Sequence, residues 1–259
     1  MPKFAANVDW MFRELPFLER FEAAAVAGFE GVEFLFPYLY APTAIAHLLE
    51  RHRLTNVLFN FPPGNWSAGE KGIAALPGRE SEFRNSIDLA LSYAAILKTR
   101  QLHVLSGIVP AEAGQRECRE VYLENLRYAA DKAAPKGITL LVEAINPVDV
   151  PNYLVQTQAE SFEICAAVER KNIRMQLDLY HMQRSEEGLE EGLRKYHTLY
   201  SHVQIAGVPG RHEPDVGFVD YPRLFNLLDE LGYGGWIGCE YRPLGNTLDG
   251  LDWYRKQAR

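Results

Sequence analysis

Short runs rich in β-branched and aromatic residues alternate along this chain with longer segments whose apolar residues recur at three- and four-residue spacing. The first pattern suits strands and the second amphipathic helices. Eight strands are predicted, at 3–7, 31–36, 55–61, 101–107, 138–145, 173–180, 201–207 and 236–241. Between them lie helical stretches such as FLERFEAAAVAG, EFRNSIDLALSYAAIL, REVYLENLRYAADKAAPKG and YPRLFNLLDELGYGG, all but the second carrying a glycine after the last periodic residue. Regular alternation of strand and helix implies parallel strands joined by crossovers, and eight such units imply an α/β protein closed into a (β/α)8 TIM barrel. An open doubly wound sheet is the competing architecture. Such sheets usually open on a glycine-rich phosphate turn after the first strand, and AANVDWMF contains no glycine. With no repeat, linker or low-complexity stretch, a single domain over 1–259 is expected.

Strand phase then picks out chemistry. Alternate residues of a barrel strand face the interior, the others the helix layer. In IRMQLDLY, Gln176 and Asp178 share one phase and Leu177 and Leu179 the other; in SHVQIAG, His202 and Gln204 oppose Val203 and Ile205. In WIGCEY, Gly238 and Glu240 oppose Ile237, Cys239 and Tyr241, and Glu143 stands near the end of the apolar run ITLLVEAI. Each of the last four strands therefore sends an oxygen-bearing side chain inward near its C-terminal end, where barrel active sites lie. Each of these groups alone would be read more simply, as a helix cap, a salt-bridge partner or a buried amide. Four on consecutive strands form a layer, and three carboxylates in one layer repel unless a cation joins them. Glu143, Asp178, Gln204 and Glu240 are thus expected to hold a divalent metal, and all-oxygen ligation selects Mg²⁺ or Mn²⁺ over zinc.

Composition narrows the partners. The chain has 259 residues, 47% of them hydrophobic, enough for a full barrel core. A net charge of −7 gives no footprint for nucleic acid or an anionic membrane, and points to a small-molecule partner. The start MPKFAANVDW is unlike a secretory signal, no window is apolar enough for a membrane span, and a cytoplasmic location is expected. Cys118, Cys165 and Cys239 are odd in number and far apart, and read as packing residues.

At these residues the chain resembles the xylose-isomerase-like barrels, and within them the hydroxypyruvate isomerase family. The segments that carry the resemblance cover nearly the whole chain and include FAANVDWMF, ERFEAAAVAGFEGVEFLFPYLY, FNFPPGNWSAGEKGIAALPGRESEFR, LVEAINPVDVPNYLV, QLDLYHMQR, HVQIAGVPGRHEPDVG and GWIGCEYRP. The resemblance implies a metal-assisted aldose–ketose isomerase acting through an enediolate, with hydroxypyruvate to tartronate semialdehyde, the namesake pair, as the expected reaction and 2-oxotetronate as the alternative substrate. Similar enzymes act on 2-oxotetronate, one carbon longer. It also implies that Glu143, Asp178, Gln204 and Glu240 are the ligands and that Glu143 and Glu240 are the catalytic pair that moves the proton. Many relatives with free-sugar substrates carry His where this chain has Gln204, which weakens a sugar-epimerase reading.

Shifting a carbonyl along a hydroxy acid needs a base, a Lewis acid for the enediolate and a proton donor. His181 is a candidate donor to a substrate oxygen, with support of the ligand shell as its alternative role. A substrate carboxylate wants a cation, for which Arg211 in PGRHEP is the first choice, ahead of Lys71 and Arg79. The loop NFPPGNWSAGEKGIAALPGRE, with Trp66, is long enough to be a lid, its alternative use being a contact in a homo-oligomer. Glu33 is expected either to support the site from the interior or to pair with a nearby Lys or Arg. Two other functions compete: a metal-dependent phosphodiesterase resembling abasic-site endonucleases, which would want more histidines and a basic groove, and a noncatalytic sugar-acid binding barrel.

Overall fold

A computed structural model describes residues 3–185 and 188–257. Eight parallel strands close into a barrel in chain order: β1 (Lys3–Asn7), β2 (Gly31–Glu33), β3 (Thr55–Asn60), β4 (Gln101–His103), β5 (Thr139–Glu143), β6 (Ile173–Asp178), β7 (Tyr200–Ile205) and β8 (Trp236–Cys239). Closure joins the two ends of the chain, with Ala5 beside Gly238 where β1 meets β8. The outer layer is formed by α1 (Arg20–Val26), α2 (Pro42–His52), α3 (Glu80–Leu97), α4 (Gln115–Ala133), α5 (Gln158–Val168), α6 (Leu179–Ser185), α7 (Leu189–Tyr196), α8 (Tyr221–Glu230) and α9 (Asp252–Gln257). Among the described residues no helix is long and apolar enough to cross a membrane.

All eight expected strands are present, and most stop earlier than their apolar runs. The run 173–180 ends as a strand at Asp178 because the carboxylate Oδ1 accepts the backbone amides of Tyr180 (2.7 Å) and His181 (3.3 Å), so that Leu179 and Tyr180 begin α6. The run 101–107 leaves the ladder after His103; further on, the amide of Ser106 turns to the Tyr153 hydroxyl and Gly107 adopts a φ of 112°. Side-chain caps and left-handed residues mark the helix ends. Thr157 and Glu160 form a reciprocal capping box on α5, Asp220 caps α8, and Gly232 turns left-handed after it.

Strand phase places the core as predicted. Leu177, Leu179, Val203, Ile205, Ile237, Cys239 and Tyr241 are buried in the large cluster between barrel and helices. A small apolar plug of Ala5, Val57, Leu58 and Leu141, with Trp236 against it, fills the barrel interior. Interior positions nearer the C-terminal ends are polar, among them Glu33, Gln176 and His202, each at most 2% exposed. Cys118 and Cys239 are buried and Cys165 half-buried, all three free and packed in the main core.

Candidate active site

A cavity of about 470 Å³ opens at the C-terminal mouth, and Glu143, Gln204 and Glu240 line it together with His181, Arg211 and Lys71. Lateral register builds the floor: Glu143 lies beside Gln176, Asp178 beside Gln204, and Gln204 beside Gly238. Asp178 is 1% exposed and divides its two oxygens between tasks. Oδ1 caps α6, while Oδ2 faces Nε2 of His181 at 3.7 Å and the Arg211 guanidinium at 3.6 Å. The helix-cap reading thus accounts for Oδ1 of this residue, and Oδ2 is left facing His181 and Arg211.

His181 has a defined tautomer. Asn146 Oδ1 accepts the amides of Val148 and Asp149, so its Nδ2 must face the other way, 2.6 Å from His181 Nδ1. An amide nitrogen only donates, and the backbone amide of Asn146 also points at that ring nitrogen, so Nδ1 is an acceptor. Burial and the nearby Arg211 charge push His181 well below the usual imidazole range, which leaves a neutral ring with its proton on Nε2, toward the site.

Burial pushes all three floor carboxylates up. For Glu143 the charges of Glu240 and Asp178 add to it, Asp178 is held back by Arg211 and two backbone amides, and Glu240 rises to about 8 against the pull of Arg211. Arg211 is the resident counter-charge: one guanidinium nitrogen is 2.6 Å from Glu240 Oε2 and 3.6 Å from Asp178 Oδ2. Its plane is held between Trp10 (4.4 Å to the ring centroid) and Tyr180 (4.8 Å). Arg79, by contrast, is tied to Glu70 and Glu82 and does not line the cavity.

The donor set fits a hard divalent cation. Three carboxylates against one guanidinium leave a floor that lacks positive charge when all are ionised. Glu143 Oε1 is buried without a hydrogen-bond partner, as is Gln176 Oε1. A carboxylate oxygen of Glu143 and one of Asp178 lie within 4.8 Å of each other, with the His181 ring in the same group as a hydrogen-bond donor and not a ligand. Gln204 Oε1 accepts from Gln176 Nε2 at 2.6 Å and keeps a second lone pair. Glu240 is turned onto Arg211 and stands apart from the trio.

The loop after β3 sits as its length suggests. Trp66 and Lys71 line the cavity, the Lys71 ammonium 3.5 Å from the Trp66 ring centroid and Trp66 packed on Phe36. Its inner end is anchored by Ile73, Ala74 and Ala75, all buried, with Ala75 N–H bonded to Ser106 O. Gly72 (φ 113°) makes this possible, since a Cβ there would meet the Leu105 carbonyl oxygen at 2.5 Å. Gly72→Ala is therefore expected to cost about 1–3 kcal/mol in urea unfolding. Gly69→Ala, left-handed too but with open space around it, should cost less.

The first four strands also end on polar residues in the mouth or beneath it: Asn7, Glu33, Asn60 and His103, all lining the cavity. His103 Nδ1 is 3.4 Å from Glu143 Oε2, its Nε2 has no partner, and burial with the neighbouring His202 lowers it to about 3. Of these four the sequence singles out only Glu33, because within runs such as 55–61 and 101–107 nothing local marks Asn60 or His103 as the end of the strand. Tyr180, Trp10 and Asp149 carry no local signal either. Glu33 pairs with His202, Asn7 and Gln204 instead of a Lys or Arg, because it points into the interior.

A family model described as xylose isomerase-like TIM barrel matches residues 21–257. The chain belongs to that family. Within the xylose isomerase-like barrels it is 49% identical to the 2-oxo-tetronate isomerase of Cupriavidus necator, over 98% of each chain. It is 40% identical to the hydroxypyruvate isomerase of Escherichia coli, again over 98% of each. A crystal structure from Brucella melitensis, named as an AP endonuclease of family 2, superposes with a TM-score of 0.97 at 52% identity over 99% of both chains. Its place among relatives named as isomerases makes this barrel an isomerase.

Proposed function

We propose that the chain moves a carbonyl between C2 and C3 of a short hydroxy-oxo acid with the help of a divalent cation, Mg²⁺ or Mn²⁺. The observation that carries this reading is that Glu143, Gln204 and Glu240 line one cavity, with the buried Asp178 carboxylate in register beside Gln204 and the Nε2 proton of His181 next to it. A divalent ion held by Glu143, Asp178, Gln204 and Glu240 would supply Lewis acidity toward the substrate oxygens. Glu143 and Glu240, reaching the mouth from β5 and from the end of β8, take the proton from one carbon and return one to the other. His181 donates to a substrate oxygen from Nε2. The walls, with Trp66 over them, keep water from the enediolate.

The four-carbon acid 2-oxotetronate is the favoured substrate and hydroxypyruvate the second, in line with 49% identity to the enzyme named for the former against 40% for the latter. A panel of such acids followed by proton NMR in heavy water, with Mn²⁺ and then with chelator, tests this. Metal-dependent deuterium incorporation at the carbon next to the carbonyl is expected, and its absence from every acid would overturn the reading. The name borne by the Brucella structure raises phosphodiester hydrolysis as a second reading. An acidic chain of net charge −7 with a carboxylate floor is poorly suited to a polyanion, and no incision of an abasic-site duplex is expected.

Arg211 is the cation assigned to the substrate carboxylate, since its flat fork is already fixed between two rings above the floor. Arg211→Lys should raise KM at least tenfold, about 1.4 kcal/mol of binding. Unchanged kinetics would pass the role to Lys71 or Arg242, which line the same cavity.

A further inference from the structure

Below the mouth, the Glu33 side chain crosses the barrel interior from β2 to β7 and β8. Its Oε1 accepts from Asn7 Nδ2 (3.1 Å) and Gln204 Nε2 (2.8 Å), and its Oε2 from His202 Nε2 (2.7 Å). The carboxylate has this place because β8 carries no side chain at Gly238. A Cβ there would stand against both Glu33 oxygens and 2.6 Å from its Cδ. A carboxylate that accepts on both oxygens can be met only by the amino end of a primary amide. Gln204 is thereby forced to aim Nε2 down at Glu33 and Oε1 up, where it meets Gln176. The Asn7 amide that Glu33 holds also donates to Glu240 Oε1 at 3.1 Å.

We propose that Glu33, seated in the gap left by Gly238, is a positioning residue that sets the Gln204 amide and, through Asn7, the Glu240 carboxylate so that both present an oxygen to a divalent cation. This role rests on the metal reading above. Partners of this kind, hydrogen-bonded to ligands rather than to the ion, orient the ligand atoms and commonly matter about 10–100-fold in metal affinity.

Glu33→Gln replaces an acceptor-only group with one that also donates, so the Gln204 amide is free to flip and bring Nε2 to the mouth. In metal-stripped protein the Mn²⁺ dissociation constant, read by electron paramagnetic resonance of free Mn²⁺, should rise about 10–100-fold. The thermal midpoint of the same metal-stripped protein should fall, because Asn7 or His202 is left facing a donor, but the lost kcat should return at saturating Mn²⁺, which a merely structural role would not give. Gly238→Ala leaves the Glu33 chemistry intact and removes its seat. It should weaken Mn²⁺ binding in the same way and add nothing in the Glu33→Gln background, and it carries the test if Glu33→Gln does not fold. Wild-type Mn²⁺ affinity in folded Glu33→Gln overturns the positioning role and leaves the metal site standing. A wild-type protein that takes up no Mn²⁺ removes both. Additive losses in the double variant overturn the seating against Gly238.

Discussion

Glu240→Gln is expected to lower kcat by roughly 10²–10⁴, the usual worth of a positioned acid–base group, in a protein that still folds and still takes up Mn²⁺. The residue is 6% exposed, lines the cavity, and receives hydrogen bonds from Arg211 (2.6 Å) and Asn7 (3.1 Å). Glutamine has the same length and keeps one oxygen for ligation, so the loss falls on proton transfer and not on shape. Deuterium exchange at the substrate carbon in heavy water reads the abstraction step apart from net turnover. Wild-type exchange and turnover in Glu240→Gln would reduce Glu240 to a ligand and make Glu143 the base. Its carboxyl reaches the mouth from β5, beside His103.

Removal of divalent metal should have the larger effect still: turnover of every acid in the panel falls to background with chelator and returns with Mn²⁺ or Mg²⁺. The same equilibrium should appear in stability. An ion that binds the folded barrel and not the unfolded chain adds about 2.7 kcal/mol when supplied at 100 times its dissociation constant. For a chain of this size that is roughly 5–10 °C in Tm. The physical source is the floor itself, where Glu143, Asp178 and Glu240 are buried and pushed up by the loss of water, with Arg211 as the cation in contact. A Tm and a turnover both indifferent to chelator would mean that Arg211 alone neutralises the floor.

Much of the barrel is written locally. Period-two alternation decides which residues of IRMQLDLY, SHVQIAG and WIGCEY face inward, because successive side chains of a strand must leave on opposite faces. For the same reason the inward carboxylates at 143, 178 and 240 and the amide at 204 could be chosen before any strand was paired. Strand ends were less legible. Asp178 stops its strand by capping α6 with one oxygen, and a run of apolar residues such as Leu179–Tyr180 looks the same whether it continues a strand or starts a helix.

What the chain by itself determined, then, is the eight-unit alternation and the inward phase of its polar strand ends, both short-range properties of backbone geometry. The tertiary structure alone decided that Arg211 lies between Trp10 and Tyr180 against Glu240, that Asn146 places the His181 proton on Nε2, and that Glu33 reaches the gap at Gly238. Each of these is a meeting of side chains from strands or loops far apart in sequence. Which groups meet depends on how far a side chain extends across a closed barrel, and on the strand opposite having no Cβ in the way.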